Sequence, residues 1–261
     1  MFGPYIVLSV LSFFTLAHSL VFPIQHTRSD VLVHKRDVVY DKKLWDTKLK
    51  SLADKLVEDT TIFIFGGYCF LDKVPGRTTT KDLDISTGPD MSAEAVQNLW
   101  ASVQAVYIDS VAAGEAIPED WMNAQGAAMV ASSNKDDVFK STSVIYQSGK
   151  LTMIEVSPEI QLSSKLDRIS AYVKADITFG NYIPKNAGDA AYLLHKINGG
   201  SGTMSKAKVK ELQEKYQKDS ADFNSHDFVM MAVPSVNEKY RELYGGKDGF
   251  AQDALDAACA E

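Results

Sequence analysis

The chain has 261 residues, of which 45% are hydrophobic and 23% are charged, and its formal net charge at pH 7 is −7. A chain of this length can bury a core in one domain or in two tightly packed subdomains. Its acidic balance excludes a generally basic surface for nucleic acid, so a polynucleotide substrate would need a local basic patch.

Residues 1–19 are predicted to be a secretory signal peptide. The apolar run Ile6–Leu16 has the length of a signal-peptide core and is too short to span a membrane. Small residues at Ala17 and Ser19 predict cleavage after Ser19, and an uncleaved anchor is the alternative. We therefore expect a secreted, extracellular protein without stable membrane association.

Residues 20–36 are polar, lack helical or strand periodicity and end in the dibasic pair Lys35-Arg36. The pair predicts a pro-segment removed by a kexin-type protease, an arrangement typical of fungal secreted proteins. An ordinary dibasic pair on the surface is the alternative. Cleavage would leave residues 37–261 with a net charge of −9, because residues 1–36 hold three basic residues and one acidic residue.

The sequence contains two cysteines, Cys69 and Cys259. In a secreted protein an even pair predicts one disulfide, which here would hold the C-terminal helix beside Gly66 and Gly67. In the chain-entropy treatment, a closed loop of this length would stabilise the fold by about 4–5 kcal/mol. Two buried thiols are the alternative.

The first predicted elements after residue 36 are a helix and a buried strand. Leucines at helical spacing predict an amphipathic helix over 42–58, and the apolar run Ile62–Phe65 predicts the strand. Gly66 and Gly67 follow and predict a tight turn. A polar turn and three threonines then lead to the segment Asp82–Ile85.

Asp82 and Asp84 are predicted to form a metal site. Side chains alternate along a strand, so both carboxylates point to one face while Leu83 and Ile85 point to the core. Two adjacent carboxylates repel each other unless a cation lies between them, and Mg²⁺ commonly binds one or two carboxylates together with substrate phosphates. The pair therefore indicates a site for Mg²⁺ or Mn²⁺.

The rest of the chain is predicted from hydrophobic periodicity and from glycine, proline and capping residues. The predicted segments are helices over 92–113, 158–173, 184–197, 205–218, 222–232 and 235–244, a last helix ending at 259, a turn or short helix over 118–123, and strands over 127–131, 138–146 and 151–156. This order predicts an α/β (α+β) fold, with a small mixed sheet in residues 37–157 followed by a helical subdomain in residues 158–261.

Glu155 is the candidate for a third carboxylate. The turn signal Gln147–Lys150 predicts a hairpin, which places Glu155 on the second strand between apolar neighbours. Those neighbours favour an inward-pointing carboxylate, and a rim glutamate on an edge strand is the alternative.

The combination of Phe65-Gly66-Gly67, Asp82-Leu83-Asp84-Ile85 and the later Glu155 resembles the nucleotidyltransferase superfamily, the DNA polymerase β-like fold. The threonine-rich approach to the aspartates is most similar to the abortive-infection-toxin type of minimal nucleotidyltransferase. The resemblance covers residues 61–156. It implies transfer of a nucleotidyl group from a nucleoside triphosphate to an acceptor, which would be RNA, protein or a small molecule.

The resemblance also implies roles for individual residues. Asp82, Asp84 and Glu155 would be catalytic and would hold two metal ions. The candidate nucleotide-binding residues are Gly66, Gly67, Arg77, Thr80, Lys81 and Lys165. Lys165 lies where this branch has a lysine that faces phosphates, and Asp189 loosely matches an acid in its helical half. Turn formation is the alternative role for Arg77, Thr80 and Lys81.

Other site chemistries fit the sequence less well, because it has no zinc-type Cys/His spacing, no Gly-x-Ser-x-Gly and no P-loop. We expect a monomeric secreted nucleotidyltransferase with a two-metal mechanism, acting as a toxin or effector. The rival hypothesis is a catalytically inactive secreted binding module on the same fold.

Overall fold

The structure is a computed structural model that describes residues 40–115, 117–131, 135–177, 182–216 and 229–258. These residues belong to one unit of the chain, Asp37–Glu261. The predicted signal peptide and pro-segment, Cys259 and most of the predicted helix over 222–232 lie outside the described residues. Secretion and processing therefore stay predictions.

A mixed β-sheet lies at the centre of the described residues. The strands are β1 (Tyr40–Asp41), β2 (Thr60–Phe65), β3 (Thr79–Thr80), β4 (Leu83–Thr87), β5 (Met122–Asn123), β6 (Val144–Ser148) and β7 (Leu151–Glu155). Five of them form one sheet in the order β5-β4-β2-β7-β6, and β1 pairs with β3 separately. β2 is antiparallel to β4 and parallel to β7, so the strand that precedes Gly66 occupies the middle of the sheet.

The sequence of β2 explains its central position. Ile62, Ile64 and Phe65 are fully buried, and Phe63 is nearly so. An apolar run of this kind suits a strand that is covered on both faces, whereas alternation of apolar and polar residues suits a strand with one solvated face.

Helices surround the sheet. They are α1 (Lys42–Lys55), α2 (Ala93–Ala112), α3 (Gln125–Ala131), α4 (Lys135–Val138), α5 (Pro158–Lys174), α6 (Tyr182–Ile197), α7 (Lys206–Tyr216), α8 (Val233–Tyr244) and α9 (Gln252–Ala258), and a 3₁₀ helix covers Gly66–Phe70. Asp41, Ser92 and Ser157 cap α1, α2 and α5, because each side-chain oxygen accepts a first-turn N–H. In the part of the chain described, no helix is long and apolar enough to cross a membrane.

Helix α5 lies against the end of β2. The backbone N–H of Gly66 donates to Gln161 Oε1 at 3.3 Å, and Gln161 Nε2 donates to the carbonyl of Val156 at 3.0 Å. Leu162 and Leu166 of α5 belong to the same buried apolar cluster as the strand residues. These contacts bring α5 beside Gly66, where the candidate site lies.

The structure confirms the α+β class, the mixed sheet, the Ser92 cap and the hairpin turn at residues 147–150. Two predicted strands were wrong. Residues 127–131 lie in α3, and the strand predicted from residue 138 begins at Val144. An apolar run alone does not distinguish a strand from a buried helix. Here Gly126 approaches the sheet so closely that a Cβ on it would lie 2.6 Å from the Phe65 ring, so this segment packs on the sheet as a helix.

Candidate functional site

A small pocket lies where the end of β2, the start of β4 and helix α5 meet. Its lining residues are Gly66, Asp84, Gln161, Ser164, Lys165 and Arg168, and we call it the Asp84 pocket. The structure therefore brings together three residues that the sequence predicted, Gly66, Asp84 and Lys165. It adds Gln161 and Arg168, which no motif indicated.

The two glycines make room for the polar groups around the Asp84 pocket. Gly66 has a φ of +72°, which favours glycine, and a Cβ on it would lie 2.8 Å from Asp84 Oδ2. A Cβ on Gly67 would overlap Thr80 Oγ1 and lie 2.7 Å from Arg77 Nη2. Any other residue at either position would displace a predicted site residue.

The two aspartates concentrate negative charge. Burial, the neighbouring Asp84 and Asp120 raise the pKa of Asp82 to about 6, while Lys185 and Arg168 oppose this shift. Asp84 Oδ1 is buried and has no hydrogen-bond partner among the described residues. A buried acceptor without a donor is costly, and a cation would satisfy it. The pair therefore fits Mg²⁺ or Mn²⁺ as two protein carboxylates that leave the remaining positions to substrate oxygens and water.

The predicted cations Arg77 and Lys165 share one buried counter-ion, Asp189. Lys165 Nζ donates to Asp189 Oδ2 at 2.8 Å and to Asn186 Oδ1 at 3.0 Å. Arg77 Nε lies 3.2 Å from Asp189 Oδ1. Burial lowers the pKa of Lys165, and Asp189 opposes that shift. Asp189, which the sequence matched only loosely, thus holds both cations in place.

The other two predicted loop residues lie beside this network. Thr80 is buried, and its hydroxyl donates to the carbonyl of Asp82 at 3.4 Å, so it supports the turn that presents Asp82. Lys81 is partly buried, and its charge contributes to lowering the pKa of Lys185. Thr80 therefore has the turn-forming role that the sequence left as an alternative.

Glu155 does not join the two aspartates. Phe65 of β2 pairs with Asp84, whereas the preceding Ile64 pairs with Glu155. Paired residues share a face of the sheet and successive residues alternate, so Glu155 and Asp84 lie on opposite faces. Within the described ranges, no group of three His, Cys, Asp or Glu side chains is placed to hold a metal ion. The predicted convergence of three carboxylates is absent.

Glu155 instead forms ion pairs on the other face. It is 2% exposed, and its Oε2 lies 3.3 Å from Lys73 Nζ and 3.7 Å from Lys196 Nζ. The strand that carries it lies between β2 and β6, so it is not the edge-strand glutamate of the alternative either. Its carboxylate connects β7 with the loop after the 3₁₀ helix and with the end of α6.

The predicted disulfide is not formed at Cys69, which is a free and fully buried thiol. Its Sγ lies 3.7 Å from the carbonyl of Ile64, and burial followed by the charge of Glu155 raises the pKa of the thiol. The thiol is therefore packed in the core behind Gly66 and Gly67. Its predicted partner, Cys259, lies outside the described residues.

Two polar residues that line the Asp84 pocket, Gln161 and Arg168, were missed as site residues. Lys185 does not line this pocket, although its charge opposes the raised pKa of Asp82. The helical spacing of α5 placed residues 161, 165 and 168 on one face, which is a signal that could have indicated Gln161 and Arg168 once Lys165 was chosen.

No protein-family model, curated protein or solved structure matches this chain.

Proposed function

We propose that the Asp84 pocket, whose volume of about 10 Å³ admits a single ion, binds Mg²⁺, that a nucleoside triphosphate binds at the mouth of the pocket, and that the protein transfers its nucleotidyl group to an acceptor. The observation that carries the proposal is the unpaired buried oxygen of Asp84, a residue that lines a pocket together with Lys165 and Arg168. A magnesium–triphosphate ligand carries both charges that such a pocket can bind, a cation for the aspartates and phosphates for the lysine and arginine.

The residues around the Asp84 pocket would have different roles in the proposed reaction. Asp82 and Asp84 would hold Mg²⁺, which when bound neutralises phosphate charge and orients the reacting oxygens. Gly66 and Gly67 let backbone groups come close to the phosphates, because neither carries a side chain. Arg168 is exposed at the pocket and is free to reach a phosphate, whereas Lys165 is fixed by Asp189.

In the proposed reaction the acceptor hydroxyl oxygen bonds to the α-phosphorus and the bond between the α- and β-phosphates breaks. Pyrophosphate leaves with the electron pair of that bond, and the hydroxyl proton passes to water. With Glu155 on the opposite face, Asp82 and Asp84 are the two carboxylates that would serve this reaction, and Glu155 would not supply the third ligand of the resembled family.

A binding module without catalysis is the second candidate, and the position of Glu155 favours it. Its two lysine partners give Glu155 a structural role in which it contributes nothing to the chemistry of Asp82 and Asp84. Such a module would bind the magnesium–nucleotide complex without releasing pyrophosphate.

Calorimetric titration tests the proposal. We would titrate the protein with ATP, GTP, CTP and UTP, with and without Mg²⁺, and repeat the titration on Asp84→Asn and on Asp90→Asn, an exposed aspartate that serves as the matched control. We expect Mg²⁺-dependent binding that Asp84→Asn abolishes and Asp90→Asn preserves. Failure of all four nucleotides to bind would contradict the proposal. Pyrophosphate release from the bound nucleotide then separates the transferase from the binding module.

A further inference from the structure

A second cavity, of about 420 Å³, adjoins the Asp84 pocket. It lies between the loop 74–79, the first turns of α6 and the last turns of α8. We call it the Lys185 cavity. Its polar lining includes Arg77, Lys185, Lys239 and Glu242. The volume lies within the range of roughly 300–1,000 Å³ that is usual for small-molecule sites.

The lining has an excess of positive charge. Lys239 and Glu242 neutralise each other in an ion pair of 2.6 Å, and Arg77 is paired with Asp189. Lys185 is half-buried and makes no hydrogen bond or ion pair with the residues that the structure describes. Burial, followed by the charge of Arg77, lowers the pKa of Lys185 to about 8, although Asp189 opposes this shift. Asp189 and Asp82 influence Lys185 through their charges, but no described residue forms an ion pair with its ammonium. In a chain with a net charge of −7, such an ammonium beside further cations in a cavity fits an anion.

The cavity and the Asp84 pocket are neighbours. Arg77 lines the cavity, and its Nη2 lies 2.7 Å from where a Cβ on Gly67 would be. Lys165 lines the pocket, and both cations contact Asp189. An anion in the cavity would therefore lie close to a nucleotide bound at the mouth of the Asp84 pocket.

We propose that the Lys185 cavity binds the phosphate monoester group of a phosphorylated acceptor, the substrate that receives the nucleotidyl group. This inference rests on the proposed function. Lys185 supplies the charge that contacts the phosphate, and the other lining residues shape the cavity. A small phosphorylated molecule and the phosphorylated end of an oligonucleotide share this chemistry.

The test is calorimetry on the full chain at pH 7 with ribose 5-phosphate, with ribose as the control ligand, and separately with Mg²⁺ and ATP. The variants are Lys185→Met, Lys185→Gln as a second neutral replacement, and Lys210→Met as a control that removes an exposed lysine of α7. We expect ribose 5-phosphate to bind the unchanged protein and ribose not to bind. Loss of a charge-assisted contact predicts about tenfold or more weaker binding in both Lys185 variants and no change in Lys210→Met.

The nucleotide titration separates the two proposals. We expect the binding of Mg²⁺ and ATP to be lost in Asp84→Asn and kept in both Lys185 variants. If both Lys185 variants also lose ribose 5-phosphate binding, the result supports a separate phosphate site. Nucleotide binding without any binding of ribose 5-phosphate would overturn this inference and leave the proposed function standing. Equal loss of both ligands in the Lys185 variants would overturn the inference, because the cavity would then be part of the nucleotide site. If neither ligand binds the unchanged protein, both proposals fail.

A third ligand distinguishes a small phosphorylated acceptor from a phosphorylated oligonucleotide. A 5′-phosphorylated oligonucleotide that binds more tightly than ribose 5-phosphate, and more tightly than its unphosphorylated form, indicates an oligonucleotide acceptor. Binding no tighter than that of ribose 5-phosphate indicates a small phosphorylated acceptor.

Discussion

Asp84 and Glu155 lie on the two strands that flank β2, and they differ in whether described cations pair with the carboxylate. Glu155 faces two lysines, so its charge is balanced within the chain. Each acid also has a buried oxygen without a hydrogen-bond partner among the described residues, Glu155 Oε1 and Asp84 Oδ1, but Asp84 forms no ion pair with a described residue and lines a pocket. An acid whose charge is already balanced serves the fold, whereas an acid that lacks a counter-charge can still bind a cation. The carboxylates on the two sides of this sheet therefore differ in how their charge is balanced.

The largest expected effect is on nucleotide binding. Asp84→Asn removes a charge from the proposed metal site and should weaken Mg²⁺-dependent triphosphate binding by about 100-fold or more, as for the loss of one partner of a buried charge pair. Glu155→Gln should change the affinity by less than about twofold, because the side chain lies on the other face. Calorimetry measures both. A large loss in Glu155→Gln would show that the two carboxylates act together after all.

The second prediction concerns the free energy of unfolding. Glu155→Gln leaves two lysines without their shared partner, and because both lysines are partly exposed the expected loss is about 1–3 kcal/mol, below the cost of breaking a fully buried pair. Urea unfolding measures this loss. Glu242→Gln, which removes one partner of an exposed pair, is the control and should cost at most about 0.5 kcal/mol. Equal losses in the two variants would contradict the structural role of Glu155.

Asp167 is a third buried acid, and it forms no ion pair with the residues that the structure describes. It is 8% exposed, its Oδ1 has no hydrogen-bond partner in the described residues, and burial raises its pKa to about 8. Between pH 4 and pH 8 the folded chain holds a proton at Asp167 that the unfolded chain has released. Stability is therefore full below pH 4 and is lost as the pH rises through 8.

Between pH 6 and pH 8 this loss should be about 2 kcal/mol, since each pH unit corresponds to about 1.4 kcal/mol. Unfolding by urea at several pH values measures it, and Asp167→Asn should flatten the dependence because its amide does not ionise. An unchanged slope in Asp167→Asn would assign the pH dependence to other groups.

The smallest expected effect isolates the contact between Gly66 and Asp84. Gly66→Ala and Gly114→Ala both place a Cβ on a residue with positive φ, which costs about 1–2 kcal/mol. Only the Cβ at position 66 also meets a neighbour, Asp84 Oδ2, while the one at position 114 meets nothing within 4 Å. Gly66→Ala should therefore lose about 1 kcal/mol more in urea unfolding and should also weaken nucleotide binding. Equal losses and unchanged binding would separate Gly66 from the site.

The sequence predicted the structural features that are set by residues close together in the chain. The cap at Ser92 and the hairpin turn before Lys150 follow from local chemistry, and so does the alternation that puts Leu83 and Ile85 in the core. Gly66 and Lys165, which the resemblance related to each other, line the same pocket.

The position of Glu155 could not be predicted in the same way. The face that it occupies depends on which β2 residue pairs with it, and a shift of one residue in that register would reverse the face. Register between parallel strands is set by tertiary packing, which a local pattern does not contain. The same limit applies to residues 127–131, whose helix lies close to the sheet at Gly126.

The buried thiol of Cys69 can be used to measure local opening of the protein. A reagent such as a thiol-reactive dye can label Cys69 only in molecules where the 3₁₀ helix Gly66–Phe70 has opened transiently. In a Cys259→Ser variant, the labelling rate at fixed reagent concentration would measure the opening equilibrium of the segment that carries Gly66 and Gly67. Because a ligand bound to the closed form shifts that equilibrium, slower labelling would register occupancy of the pocket without any assay of catalysis.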